Sequence, residues 1–117
     1  MDDSATDHEV EDAGPLGTRL RVGTIRSCVT NPKARRPAYV LRVDLGPHGL
    51  RTSSAQLTEN HDVDDLVGRQ VVVATDLGVK HIAGVRSEVL VLGLPGPDGS
   101  TILVGPDRPV PDGGLLH

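Results

Sequence analysis

The sequence predicts an all-β domain, and three observations carry that expectation. Valine is the commonest apolar residue, with 16 Val beside 14 Leu and 3 Ile in 117 residues, and β-branched side chains favour strands. Fourteen glycines and nine prolines interrupt helices along the whole length. Short apolar runs alternate with period two and end at Gly/Pro turns, the pattern of strands with one buried face. The length suits a single core.

Taken in order, the first element is a strand over Thr18 to Val29, built on Leu20, Val22 and Ile25, with the phase slip at Gly23, as at a bulge or a sharp coil of a barrel strand. Asn31 to Pro37 is a loop. Tyr39, Leu41, Val43 and Leu45 mark one face of a second strand. Gly46-Pro47-His48-Gly49 turns the chain back into a hairpin partner over Leu50 to Ser53. Ser54 to Val67 holds the only helical signals, with Asp62 placed to cap a short helix from Val63. Further strands follow over Gln70 to Thr75, Glu88 to Leu92 and Thr101 to Val104, and Pro106, Pro109 and Pro111 keep the C-terminal stretch extended. A five-stranded OB-fold, a Greek-key barrel with a short helix between its third and fourth strands, satisfies this order, as do other small barrels.

Composition removes several functions. Tyr39 is the only aromatic residue, so bases cannot be gripped chiefly by ring stacking. Cys28 has no partner for a disulfide. No apolar run approaches the roughly 20 residues of a membrane span, and the acidic start is unlike a secretory signal. The expectation is a soluble, cytoplasmic protein without membrane insertion.

Charge is unevenly distributed. The net charge is −4, yet Asp2, Asp3, Asp7, Glu9, Glu11 and Asp12 precede the first base. Residues 1–15 are expected to form an acidic disordered tail, because their few apolar groups cannot offset ordering entropy. Residues 16–117 form the domain and carry +2. Within it, Arg19 to Thr58 holds eight bases against Asp44 alone, and Glu59, Asp62, Asp64 and Asp65 follow.

Catalytic and metal motifs are not expected. His8, His48, His61, His81 and His117 have no metal-ligand spacing. Gly93, Gly96 and Gly99 lie among prolines, unlike a phosphate loop. Ser53 or Ser54 with Lys80 imitates a Ser–Lys nucleophile pair but lacks an oxyanion signature, and Asp62 to Asp65 reads as a solvated helix start. No enzyme, no cofactor and no metal is expected. In an OB-fold, ligands cross the second and third strands between two flanking loops. Here one loop carries Lys33, Arg35 and Arg36, and the other, Asp76 to Arg86, carries Lys80, His81 and Arg86. Arg42 and Arg51 lie on the strands between, so a polyanion or an acidic peptide is the expected ligand class.

Four segments in order resemble the tRNA-binding domain family: Leu20-Arg21-Val22-Gly23-Thr24-Ile25; Ser53-Ser54-Ala55-Gln56-Leu57; Ile82 to Gly93; and Pro106-Asp107-Arg108-Pro109-Val110-Pro111-Asp112-Gly113. The resemblance covers roughly Leu16 to Leu116. Ser87-Glu88-Val89-Leu90-Val91-Leu92-Gly93 and Ser53 to Leu57 are most similar to the export-related chaperone branch, CsaA. The resemblance implies an OB-fold homodimer that binds unfolded or preprotein peptide segments, with structure-specific tRNA binding through a basic rim as the alternative. It also implies that Ser53, Ser54 and Gln56 lie near the ligand cavity, with Lys80, Arg86, Arg35 and Arg36 as basic positions around it. The alternative for the first three is a structural role at the strand-to-helix turn or the dimer contact. Members of that branch usually place Phe near Leu45, Leu77 and Val85; aliphatic replacements there favour peptide side chains over bases.

Overall fold

Strand β1 (Leu20–Thr30) organises the computed structural model, which describes residues 17–117. The acidic tail assigned to residues 1–15 lies outside the described residues. On one side β1 pairs antiparallel with β2 (Tyr39–Asp44), which pairs in turn with β3 (Leu50–Ala55). On the other it pairs with β4 (Gln70–Ala74), and Val73 and Ala74 of β4 pair with Val91 and Leu90.

Alternation fixes which face is inside. Tyr39, Leu41 and Val43 on β2 are buried, while Arg42 between them is exposed. Val71, Val72, Val73 and Ala74 are all buried. Such an unbroken run needs cover on both faces, and the C-terminal stretch lies along this side: the Val72 amide donates to Val104 O, and Val22 exchanges backbone bonds with Gly113 and Gly114.

Five antiparallel strands close almost into a barrel. After β4 come β5 (Lys80–Ile82), β6 (Val85–Ser87) and β7 (Leu90–Val91), giving a sheet ordered β3-β2-β1-β4-β7. The seam closes where Glu88 and Val89 amides donate to Thr52 O at 2.7 and 3.3 Å. Ser54 N also donates to Ser87 Oγ at 3.1 Å. This is the expected all-β, OB-like barrel. Helix α1 (Val63–Leu66) lies between β3 and β4, as expected, and inserts the fully buried Leu66 into the core with Ile25, Leu41, Val43, Leu45, Val71 and Val73. The one aromatic ring is buried there too, and its hydroxyl reaches a partner: Tyr39 OH donates to His61 O at 2.9 Å.

Four local expectations change. The irregularity in β1 lies at Arg26, between Ile25 and Ser27, not at Gly23. Gly23 is instead required by close approach, since a Cβ there would stand 2.5 Å from Val43 Cγ1 and 2.9 Å from Asp44 O. Asp62 takes the N-cap position of α1, but its carbonyl accepts the Asp65 and Leu66 amides while its side chain makes no cap bond. The supposed loop from Asp76 to Arg86 contains the β5–β6 hairpin. Its turn is Ala83-Gly84 with φ of 49° and 82°, two left-handed residues as a tight hairpin requires. Last, the strand expected over Glu88 to Leu92 keeps only Leu90–Val91, because Glu88 and Val89 turn their amides to Thr52. Beyond it, β8 (Gly93–Pro95) and β9 (Thr101–Leu103) form a small hairpin.

The C-terminal segment is fastened by Asp112. Its Oδ1 accepts from Thr24 Oγ1 at 2.7 Å and Gln70 Nε2 at 3.0 Å, and Arg26 reaches Oδ2 at 3.5 Å. Gly113 follows with φ of 93°, its amide donating to Val22 O at 2.7 Å.

Candidate binding site

Register decides which predicted residues reach a common surface. On β3, Ser53 stands opposite Leu41 and Ser54 opposite Val40. Leu41 faces the core, so Ser53 does too: it is fully buried and its hydroxyl donates to Ser54 O at 3.4 Å. Ser53 therefore builds the strand. Ser54 points the other way, into two adjoining grooves.

The first groove, about 470 Å³, is lined by Lys33, Arg35, Arg36, Ser54, Gln56 and Ile82 together with small alanines. Lys33, Arg35 and Arg36 come from the loop between β1 and β2. That loop is closed by Asn31 N donating to Ala38 O at 3.0 Å. The Asn31 side chain also donates to Ala83 O at 3.4 Å, tying the loop to the β5–β6 turn. The second groove, about 320 Å³, shares Ser54 and Ile82 and continues through Leu77, Lys80, Val89 and Leu90. Leu77, Ile82 and Leu90 are exposed apolar side chains at 51%, 44% and 49%. Together they give this groove an apolar lining.

Neither groove contains an acidic lining residue. Two larger grooves differ in this respect. One, about 610 Å³, includes Arg26, Arg69 and Arg108 but also Asp107, and its Arg26 is already bonded to Asp44 and Asp112. The other, about 780 Å³, holds Asp65 and Asp98. Charge complementarity to an anion is therefore cleanest around Ser54.

Of the ten residues expected at the site, Arg35, Arg36, Ser54, Gln56 and Lys80 line these grooves. Arg42 is exposed and lies on the outward face of β2, opposite Thr52. Arg51 shares the inward parity of Ser53 but lies at the far end of β3, where its guanidinium donates to Leu50 O and packs beside Gly49. His81 and Arg86 pair across the hairpin and share its face away from Ile82 and Val85. Arg86 is spent on Glu88, at 2.9 Å, and Glu88 Oε1 in turn accepts the Thr52 amide at 3.0 Å. Leu45, expected near the cavity, is core. Sequence reasoning missed Ile82, which belongs to both grooves; the tight turn at Ala83-Gly84 was the signal that would have turned it inward.

Among the described residues the resolved shifts mark no reactive group. Burial pushes the Cys28 thiol and the Tyr39 hydroxyl up. Asp76, next to the groove residue Leu77, is held below the usual carboxylate range by the Thr18 hydroxyl, helped by the Arg19 amide at 3.1 Å. Among the described residues no three His, Cys, Asp or Glu side chains gather as a metal site would require.

Comparison with known proteins places the chain in a family. The profile of the putative tRNA-binding domain family matches residues 20–114. The crystal structure of the chaperone CsaA from Bacillus anthracis str. Ames superposes with a TM-score of 0.82 at 37% identity, covering 87% of this chain and 93% of that one. The CsaA chaperone protein from Picrophilus torridus gives 0.81 at 35% identity, covering 87% and 94%. A methionine–tRNA ligase from Methanococcoides burtonii is 34% identical over 98 residues, 84% of this chain. The chain spans only 14% of that ligase's length.

Proposed function

The chain belongs to the tRNA-binding domain family, and from that premise we propose that it is a CsaA-like molecular chaperone: a non-enzymatic, cytoplasmic homodimer that binds exposed peptide segments of preproteins before export. The observation that carries this reading is the continuity of an apolar groove with a basic one across Ser54 and Ile82. An unfolded segment offers apolar side chains to Leu77, Ile82 and Leu90 and its acidic residues to Lys33, Arg35 and Arg36. The side chains of Ser54 and Gln56 provide polar groups for the peptide backbone. No helix among the described residues is long and apolar enough to cross a membrane, and the proposed clients are soluble segments.

The second reading is structure-specific tRNA binding, favoured by the same three bases in a loop free of acids. It needs phosphate contacts and shape, since stacking platforms are absent from the sequence. One experiment separates them. Fluorescence anisotropy is measured with an unstructured peptide and with folded tRNA, on the full chain and on the variants Ile82→Asp and Arg35→Ala/Arg36→Ala. The chaperone reading expects Ile82→Asp to weaken peptide binding roughly tenfold, the scale of one buried apolar side chain, and to spare tRNA. Unchanged peptide affinity in Ile82→Asp overturns it. Loss of tRNA binding in the double variant, with a salt slope reduced by about 2, establishes the second reading. Sedimentation at several concentrations tests the dimer.

A further inference from the structure

Charge of opposite sign is concentrated in two places. The first 14 residues carry six acids and no base, and the paired grooves carry Lys33, Arg35, Arg36 and Lys80 and no acid. The point where the described chain begins connects them. Thr18 and Arg19 are fastened to Asp76, the hydroxyl donating to Oδ1 and the amide to Oδ2. The next residue after Asp76 is Leu77, which lines the apolar groove, followed by Gly78 and Lys80 in the same lining. The described chain therefore begins near the rim of the site.

Reach follows from chain geometry. An extended chain covers at most about 3.3–3.6 Å per residue, which sets an upper limit of about 18 Å on the span from Gly17 to Asp12 and a longer one for Glu11 and Glu9. A tether this short holds the acids at millimolar effective concentration beside the bases. Individual exposed ion pairs are weak, but several acids acting on four bases from a tether add up. The alternative basic groove around Arg26, Arg69 and Arg108 contains Asp107 and has Arg26 already bonded, so it competes poorly for the same acids.

We propose that the acidic N-terminal segment docks on the Lys33–Arg36 and Lys80 grooves of its own chain and acts as a built-in competitor for their ligand. The proposal uses these grooves as a docking surface and does not depend on whether peptide or tRNA is the external ligand. Its consequence is graded access: an anionic ligand must displace the tail, and a ligand with more charge, or charge plus apolar side chains, does so more readily. Salt weakens the tail contact and the ligand contact together, because both are exposed.

The test keeps the full chain and neutralises the tail in place, by Asp2→Asn, Asp3→Asn, Asp7→Asn, Glu9→Gln, Glu11→Gln and Asp12→Asn together. Amide NMR spectra of the two proteins are compared at low salt, and each is titrated with a ten-residue poly-glutamate peptide. The expected result is a set of shift differences at Lys33 to Arg36, Ser54 and Leu77 to Ile82, unaffected by protein concentration. Poly-glutamate should bind the neutralised chain several-fold to about tenfold more tightly, and the gap should close by about 0.5 M salt. Differences confined to residues next to Gly17, or centred on Arg69 and Arg108, overturn the proposal. So does equal affinity of the two chains for the peptide. A failure here leaves the Ile82→Asp and Arg35→Ala/Arg36→Ala results untouched, so the two readings fail separately.

Discussion

Replacing Asp112 by alanine tests how the C-terminal segment is held to the barrel. Three donors converge on this carboxylate, and their contributions differ. Thr24 Oγ1 donates at 2.7 Å from a side chain that is only 7% exposed; a hydrogen bond to a charged acceptor in such a place is worth about 1.5–3 kcal/mol. Gln70 Nε2, at 3.0 Å and part-buried, adds about 0.5–1 kcal/mol, since it also donates to Val110 O. Arg26 lies 3.5 Å away with its side chain 54% exposed, and after solvent screening contributes close to nothing. Asp112→Ala should therefore destabilise by about 2–4 kcal/mol, or roughly 10–20 °C in Tm for a domain of this size. Asp112→Asn keeps an oxygen for Thr24 and should lose about 1 kcal/mol or less. Urea and thermal unfolding at matched protein concentration read both variants, because association would otherwise shift the midpoint. A loss below about 0.5 kcal/mol for Asp112→Ala, the range of an ordinary surface substitution, refutes the reasoning. If Asp112→Asn is as damaging as Asp112→Ala, charge rather than hydrogen bonding holds the segment.

Two further outcomes follow from packing and titration. Gly23→Ala should cost about 1–3 kcal/mol or more by overpacking, because the added carbon meets Val43 and Leu45 at 2.5 and 2.7 Å. Combining it with Val43→Ala, which removes the nearest atom, should be less destabilising than the sum of the two single changes in the same melts. Asp76 has a folded-state pKa below its ordinary value, chiefly through Thr18. Its contribution is complete above the unfolded carboxylate value and is lost as pH falls through the lower folded value. Stability measured from pH 6 downward should therefore begin to fall near pH 4, and Asp76→Asn should flatten part of that decline.

Much of the barrel was legible because burial follows a simple period. Tyr39, Leu41, Val43 and Leu45 alternate with outward residues, and Val71 to Val73 form an unbroken apolar run; both patterns survive in the structure. The basic loop at Lys33 to Arg36 was legible for a related reason, since a charged stretch between two strands has to be exposed. The β5–β6 hairpin was not legible. Its strands have three residues each, and Lys80, His81 and Ile82 are all exposed, so no buried face writes a period into the sequence. Without the turn, the parity of Ile82 against His81 and Arg86 could not be assigned. Arg42 and Arg51 show the same limit: both lie on strands of the binding sheet, but Arg42, on the same face as Ser54, falls outside the groove linings, and Arg51 has the opposite parity and lies at the far end of β3. The bulge offered for Gly23 lies instead at Arg26, because a glycine needed for close packing and a glycine in a bulge look alike until the neighbouring strand is in place.

The clasp between the first strand and the C-terminal segment also bears on the order of folding. Arg21 donates to Gly113 O across a sequence separation of 92, and Leu116 N donates to Leu20 O at 2.8 Å. Closing so long a loop is entropically unfavourable until other contacts have shortened it. Topologies dominated by distant pairings fold slowly for that reason. During synthesis, β1 emerges first, acquires β2 and β3 within about 35 residues, and then exposes an unpaired edge until β4 arrives. The Val22 amide still waits for Gly114 after that. A nascent chain of this protein would therefore present an apolar strand edge until β4 is made, and would leave Val22 without its last backbone partner until Gly114 follows.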